Sequence, residues 1–196
     1  MAAAQSSTNA HLGDTSARSS MCNRALFTDL YELTMAQAYQ AERMDQLAVF
    51  ELVFREMPQN RNYIVAAGFQ DVVDFLTGFH FSAEELAYLR GNGDFSEAFL
   101  KRLERLRFTG NAYALPEGTV VFPNEPLLQV IAPIIEAQLI ETFVLNQIHF
   151  QSIAATKASR VVAAAQGRSV VDFGSRRSHG TDAALKEVKP RPSGYA

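Results

Sequence analysis

The chain has 196 residues, 47% hydrophobic and 20% charged, the balance of a globular protein with material for one ordinary domain or a small domain and part of another. A net charge of −3 gives no general pull towards nucleic acid or an acidic membrane, and the single Cys22 excludes an internal disulfide and a multi-cysteine zinc site while suiting a reducing compartment. His11, His80, His149 and His179 lack paired metal-ligand spacing, and Glu136, Gln138, Glu141, Asn146 and His149 interrupt the longest apolar stretch, so neither a metal centre nor a membrane span is predicted and a cytoplasmic location is expected.

Residues 1–23 are rich in Ala, Ser and Thr without an apolar segment, which predicts a disordered tail rather than a secretory signal. Arg18 and the scarcity of acid leave an organelle-targeting reading open, with Asp14 against it. From Thr28, TDLYELTMAQAYQAE predicts an amphipathic helix with Thr28 as N-cap, Asp29 in the first turn and Tyr31, Met35 and Ala38 on one face. LAVFELVF over residues 47–54 alternates, predicting a strand that buries Ala48, Phe50, Leu52 and Phe54 and is broken by Pro58. Phe69, Val72, Val73 and Leu76 recur at helical spacing. Ser82 with Glu85 makes a capping box for a helix closed by Gly91, and Phe99, Leu103 and Leu106 mark another.

The period then changes. FTGNAYAL, TVVFP and LLQVIA are short extended runs separated by the turn sequences Pro116-Glu117-Gly118 and Asn124-Glu125-Pro126, predicting a small antiparallel or mixed β unit. After Pro133 a long helical pattern predicts two helices or one bent helix, ended by Gly167. The expected fold is therefore α/β, with a mixed α+β domain over 24–133 and a second unit from 134 to 186.

Ser169 to Leu185, SVVDFGSRRSHGTDAAL, is the stretch in which chemistry concentrates. Val170 and Val171 favour a strand, Gly174 loosens the backbone, and Thr181 with Asp182 opens a helix, so a strand-to-helix loop is expected, the place where parallel α/β architectures carry ligands. Arg176 and Arg177 are adjacent, so their side chains diverge; they serve two anions in bidentate fashion or form a solvated basic loop. Phe173 either reaches a ligand or packs, and Tyr31 by itself reads as a core tyrosine. Asp172 is expected to orient an arginine or a backbone group, and Arg55 and Arg61 reach phosphates or are surface charge. The sequence holds no G-x-x-x-x-G-K-[ST] loop to support ATP binding.

LFTDLYELTMAQAY, FELVFREMP, NYIVAAG, ALPEGTVVFPNEPLLQV, PIIEAQLIETFVLN, ATKASRV and DFGSRRSHGTDAAL together, in this order, resemble nicotinate phosphoribosyltransferases over about residues 24 to 186. The resemblance implies a type II phosphoribosyltransferase α/β barrel, of which residues 134–186 are the first elements, beside the N-terminal domain. It implies a reaction joining nicotinate to phosphoribosyl pyrophosphate, with release of pyrophosphate and hydrolysis of ATP in the presence of Mg2+. It implies a homodimer in which Tyr31 lies against the pyridine ring bound by a neighbouring subunit, opposite Phe173, while Arg176 and, less directly, Arg177 receive carboxylate or phosphate. His179 lines the pocket or is an exposed loop residue; it is not assigned the phosphorylated role, which the resemblance places on a later barrel strand, and His149 is expected to be structural. The segment 187–196, EVKPRPSGYA, departs from the expected helix, so the chain is read as truncated and inactive alone, poorly soluble or partly folded. The alternatives are a non-catalytic product that associates with full-length subunits, or a related enzyme using nicotinamide or quinolinate.

Overall fold

The computed structural model describes residues 24–187. The tail expected over 1–23 and residues 188–196 of the divergent segment lie outside the described residues. In chain order the elements are α1 (Leu30–Ala41), β1 (Leu47–Leu52), β2 (Ile64–Val65), α2 (Phe69–Gly78), α3 (Ala83–Asn92), α4 (Glu97–Arg105), β3 (Asn111–Ala114), β4 (Val120–Val121), β5 (Leu128–Pro133), α5 (Ile134–Leu139), α6 (Glu141–Ala165), a 3-10 turn (Ser175–Arg177) and α7 (Thr181–Glu187).

The strands form two antiparallel sheets. β5 is the central strand of the larger one, pairing Leu47–Leu52 of β1 on one side and Asn111–Ala114 of β3 on the other, while β2 pairs β4. The alternation in β1 is real, with Ala48, Phe50 and Leu52 half-buried and Leu47 and Val49 exposed. Of the extended runs after residue 107, β3 and β5 pair antiparallel with each other, and β4 and β5 also take partners from the first third of the chain.

The core gathers one face from each helix but α7. Phe75 of α2 and Phe79 just after it, Phe99, Leu100 and Leu103 of α4, Ile135 and Leu139 of α5, and Phe143 and Ile148 of α6 are almost wholly buried. Phe75 and Phe143 stack with ring centroids 3.8 Å apart, and Phe27 meets Phe143 edge-on at 6.1 Å. The long helical pattern after Pro133 divides at Ile140 into α5 and α6, and α6 stops where Gln166 and Gly167 take positive φ angles of 51° and 83°.

Caps fix several boundaries. The Ser82–Glu85 capping box forms as the sequence predicts, but α3 runs on to Asn92 and is closed by left-handed Gly93, not Gly91. α1 is capped by Asp29 in a box with Glu32, so Thr28 is not its N-cap; the Thr28 hydroxyl instead donates to Glu32. At the start of α2, Oε1 of Glu117 accepts the N–H groups of Gly68, Phe69 and Gln70 at 3.0, 2.8 and 3.3 Å. Three of the donors that a helix start leaves unpaired are thus satisfied by one carboxylate from a turn almost fifty residues away.

The expected strand at Ser169–Phe173 is absent. These residues are irregular and exposed, because no described strand lies beside them to accept and donate the ladder hydrogen bonds that β structure requires. No described helix is long and apolar enough to cross a membrane.

Candidate functional site

The polar loop before α7 follows the end of α6. Asp172 Oδ1 accepts the Gly174 N–H at 2.6 Å, and Arg177 N–H donates to the Gly174 carbonyl at 2.7 Å, so a short side-chain turn leads into the 3-10 turn that carries both arginines. The backbone-orienting role expected of Asp172 is the one the structure gives it. Arg176 lines a shallow hollow with Ser175, Ser178, Gly180, Thr181, Ala184 and Leu185, which sets a guanidinium among hydroxyls beside the first turn of α7. Arg177 and His179 are exposed outside that lining, and Phe173 projects with 80% of its surface exposed. The loop thus exposes an aromatic ring and two cations, of which only Arg176 lines the hollow.

Tyr31 belongs to a different element, and its environment is acidic. Tyr31, Met35 and Ala38 do share a face of α1, but that face is exposed; Glu32, Leu33 and Ala36 are the buried ones. The core-tyrosine reading therefore fails, because the helix seats its other side on α5 and the ring of Tyr31 is left 48% exposed. Its hydroxyl donates to Glu32 Oε1 at 3.4 Å. Glu32, fully buried, also accepts from the Asp29 N–H at 3.3 Å and the Thr142 hydroxyl at 2.8 Å, tying α1 to the start of α6. Desolvation first, then the Glu141 and Glu32 carboxylates, push the Tyr31 phenol up to about 12. Burial and the Glu32 charge likewise hold the Glu141 acid above its ordinary value.

Of the other candidates, Arg55 is exposed, Arg61 is half-buried with Nη1 in no hydrogen bond, and His149 is exposed at the edge of an apolar hollow between β1 and α6. Sequence reasoning missed Lys186, which is buried against Asp71, Gln147 and Asp182. The signal was faint: a lysine four residues after Asp182 reads as an ordinary surface pair.

Known structures share this fold. A nicotinate-nucleotide pyrophosphorylase from Pyrococcus furiosus matches 91% of the chain with a TM-score of 0.63 at 22% identity, a likeness of fold. Human nicotinic acid phosphoribosyltransferase matches 82% of it with a TM-score of 0.72 at 37% identity. The fold is therefore that of the N-terminal region of phosphoribosyltransferases acting beside a larger remainder, since the chain covers 33% of the human protein and 39% of the archaeal one. The model of the nicotinate phosphoribosyltransferase N-terminal domain matches residues 26–149, and the chain belongs to that family. A nicotinate phosphoribosyltransferase of Mycobacterium tuberculosis is 68% identical over 165 residues, 84% of this chain and 36% of that protein. The Bacillus subtilis protein of the same name is 41% identical over 82% of this chain and 33% of its own length. The chain thus spans about a third of the length of these relatives.

Proposed function

We propose that this chain forms the N-terminal region of a nicotinate phosphoribosyltransferase of NAD salvage, which makes nicotinate mononucleotide and pyrophosphate from nicotinate and phosphoribosyl pyrophosphate with hydrolysis of ATP. The observation that carries the reading is the 68% identity to the mycobacterial enzyme, which extends over 165 residues, beyond the 26–149 matched by the family model. The geometry supports roles for the residues present. Phe173 offers an exposed face on which a flat pyridine can stack, and the Arg176 fork can take carboxylate or phosphate oxygens in two parallel hydrogen bonds. Arg177 diverges and serves a second anionic group, and His179 borders the loop. Tyr31, its ring 48% exposed, suits the second aromatic wall in a homodimer, offered to the neighbouring subunit.

ATP and Mg2+ belong to the same proposal. Magnesium enters the proposal as the ion that accompanies the pyrophosphate oxygens. The protein's contribution is to stack, to pair charge and to hold donors where negative charge builds on the departing pyrophosphate as the oxocarbenium-like state develops.

The test is ATP-dependent formation of nicotinate mononucleotide. A complete enzyme carrying residues 24–187 forms it and prefers nicotinate to nicotinamide and quinolinate, whereas residues 1–196 alone form none; activity of the isolated chain overturns this division of roles. The exposure of Tyr31 favours one second reading, a non-catalytic chain that associates with complete subunits. Co-purification with a complete subunit that is lost in Tyr31→Ala supports it, and failure to co-purify removes it.

A further inference from the structure

The loop bearing Phe173, Arg176 and Arg177 is held to the body in an unusual way. Over the described residues 157–186 only one residue is buried, and it is a lysine. Val171, Phe173 and Leu185 are 69%, 80% and 65% exposed, so the segment offers no apolar plug. Lys186, its side chain 4% exposed, reaches from α7 into the space between α2 and α6. There Nζ donates to Gln147 Oε1, donates to Asp182 Oδ2 at 2.9 Å, and stands 3.8 Å from Oδ2 of Asp71, whose side chain is 1% exposed. Gln151 completes the set by donating to the same Asp71 oxygen at 2.7 Å. Arg24 adds an ion pair to Asp182 at 3.8 Å, but both partners face solvent and the pair is weak.

An apolar anchor tolerates rotation and sliding, because dispersion contacts have no direction. An ammonium removed from water does not: its protons must all find acceptors, and losing one leaves an uncompensated buried charge. A lysine seated in this way fixes the azimuth and height of α7, and with them the loop that enters α7 at Thr181.

We propose that Lys186 is a positioning residue, a buried ammonium latch that docks α7 on the α2–α6 body and thereby sets where the preceding loop holds Phe173, Arg176 and Arg177. The proposal rests on the reading that this loop binds substrate. It predicts a segment with two states, docked and released, separated by one charged anchor rather than by the unfolding of a core.

Hydrogen exchange read by mass spectrometry on the whole chain tests the latch. Lys186→Met takes the ammonium away from the buried Asp71 carboxylate, so a double variant, Lys186→Met with Asp71→Asn, removes both charges and keeps an acceptor towards Gln151. In both, exchange over residues 174–187 rises about tenfold or more, while α6 and, in the double variant, α2 exchange as before. Unchanged exchange in the segment, or slow exchange restored by the double variant, overturns the latch. In a complete enzyme carrying this region, the double variant and Arg176→Ala both raise KM for phosphoribosyl pyrophosphate more than they lower kcat, and only the double variant speeds exchange. A raised KM in Arg176→Ala with unaltered exchange in the double variant overturns the latch alone. An unaltered KM in Arg176→Ala beside faster exchange in the double variant overturns the substrate reading, and with it the positioning role.

Discussion

Replacing Gly68 by alanine tests how rigidly α2 is seated on α6. Gly68 caps α2 with a φ of +105°, and a Cβ built there stands 2.8 Å from the Gln147 carbonyl oxygen, 3.1 Å from its carbon and 3.2 Å from the Ile148 Cα. All three are backbone atoms within a 25-residue helix, so no side chain can rotate out of the way. Gly93 supplies the control: its φ is +77°, and its Cβ would meet nothing within 4 Å. Alanine in the left-handed region costs about 1–2 kcal/mol at either position. Forcing a methyl group into a closed contact adds about 1–3 kcal/mol at Gly68 only. Gly93→Ala therefore loses about 1 kcal/mol and Gly68→Ala about 3 kcal/mol. With a urea m-value of about 2 kcal/mol per molar, the midpoints fall by about 0.5 M and about 1.5 M. Urea unfolding followed by far-ultraviolet circular dichroism measures both. Equal shifts for the two variants would refute the reasoning, since they would show that α6 yields to the added methyl at no cost.

Glu117→Ala strips one acceptor from three N–H groups of α2 and destabilises the chain by about 1–2 kcal/mol, more than Glu125→Ala, whose carboxylate accepts a single exposed N–H from Phe122. The same urea titration ranks them, and a reversed order counts against the cap. The Tyr31 phenol, raised to about 12, binds its proton more tightly in the folded chain; its contribution to stability is intact below pH 10 and is lost as pH rises through 12. Ultraviolet titration of the wild type minus Tyr31→Phe reads that value, and Glu141→Gln brings it down towards 10. Glu141 is also raised, by burial and by Glu32, so its contribution is largest below its ordinary value and declines as pH climbs through the raised one. Glu141→Gln flattens that decline, which unfolding midpoints across the acid range will register. Limited trypsin digestion should cut at Arg168, Arg176 and Arg177 before Lys157 or Arg160 in α6, because all three arginines are exposed on irregular or 3-10 backbone; early cleavage within α6 contradicts this.

Features that depend on neighbours in sequence were readable in advance. The Ser82–Glu85 box, the alternation of Ala48, Phe50 and Leu52, and the division of the helical run after Pro133 all follow from local stereochemistry, and all are present. Two local expectations missed by a residue or two, the Thr28 cap and the Gly91 stop; the larger failures needed a partner. Val170 and Val171 have strand propensity but no strand to pair with among the described residues, so they lie irregular and exposed. Tyr31, Met35 and Ala38 form a face by spacing, but which face of α1 is buried depends on where Thr142 accepts the helix, 110 residues downstream of Glu32. The Glu117 cap and the Lys186 anchor were hidden for the same reason, since each joins groups dozens of residues apart. At the candidate site residue type alone left the arginines and Phe173 between ligand contact and solvated loop or packing, and their roles came from the family resemblance, while the contacts of Lys186 could not be read at all.

The position of β5 sets an order on the birth of this fold. During synthesis β1 leaves the ribosome with its alternate apolar residues and waits some eighty residues for Leu128–Pro133 to emerge between it and β3. α1 waits longer still for Thr142. Closing such long loops is slow, and unpaired strand edges attract other chains in the interval. The nascent protein therefore passes through a stage in which almost everything up to residue 127 has been made and the larger sheet has no middle; a chaperone that shields LAVFEL until β5 arrives would raise the yield of folded chain more than any gain in final stability.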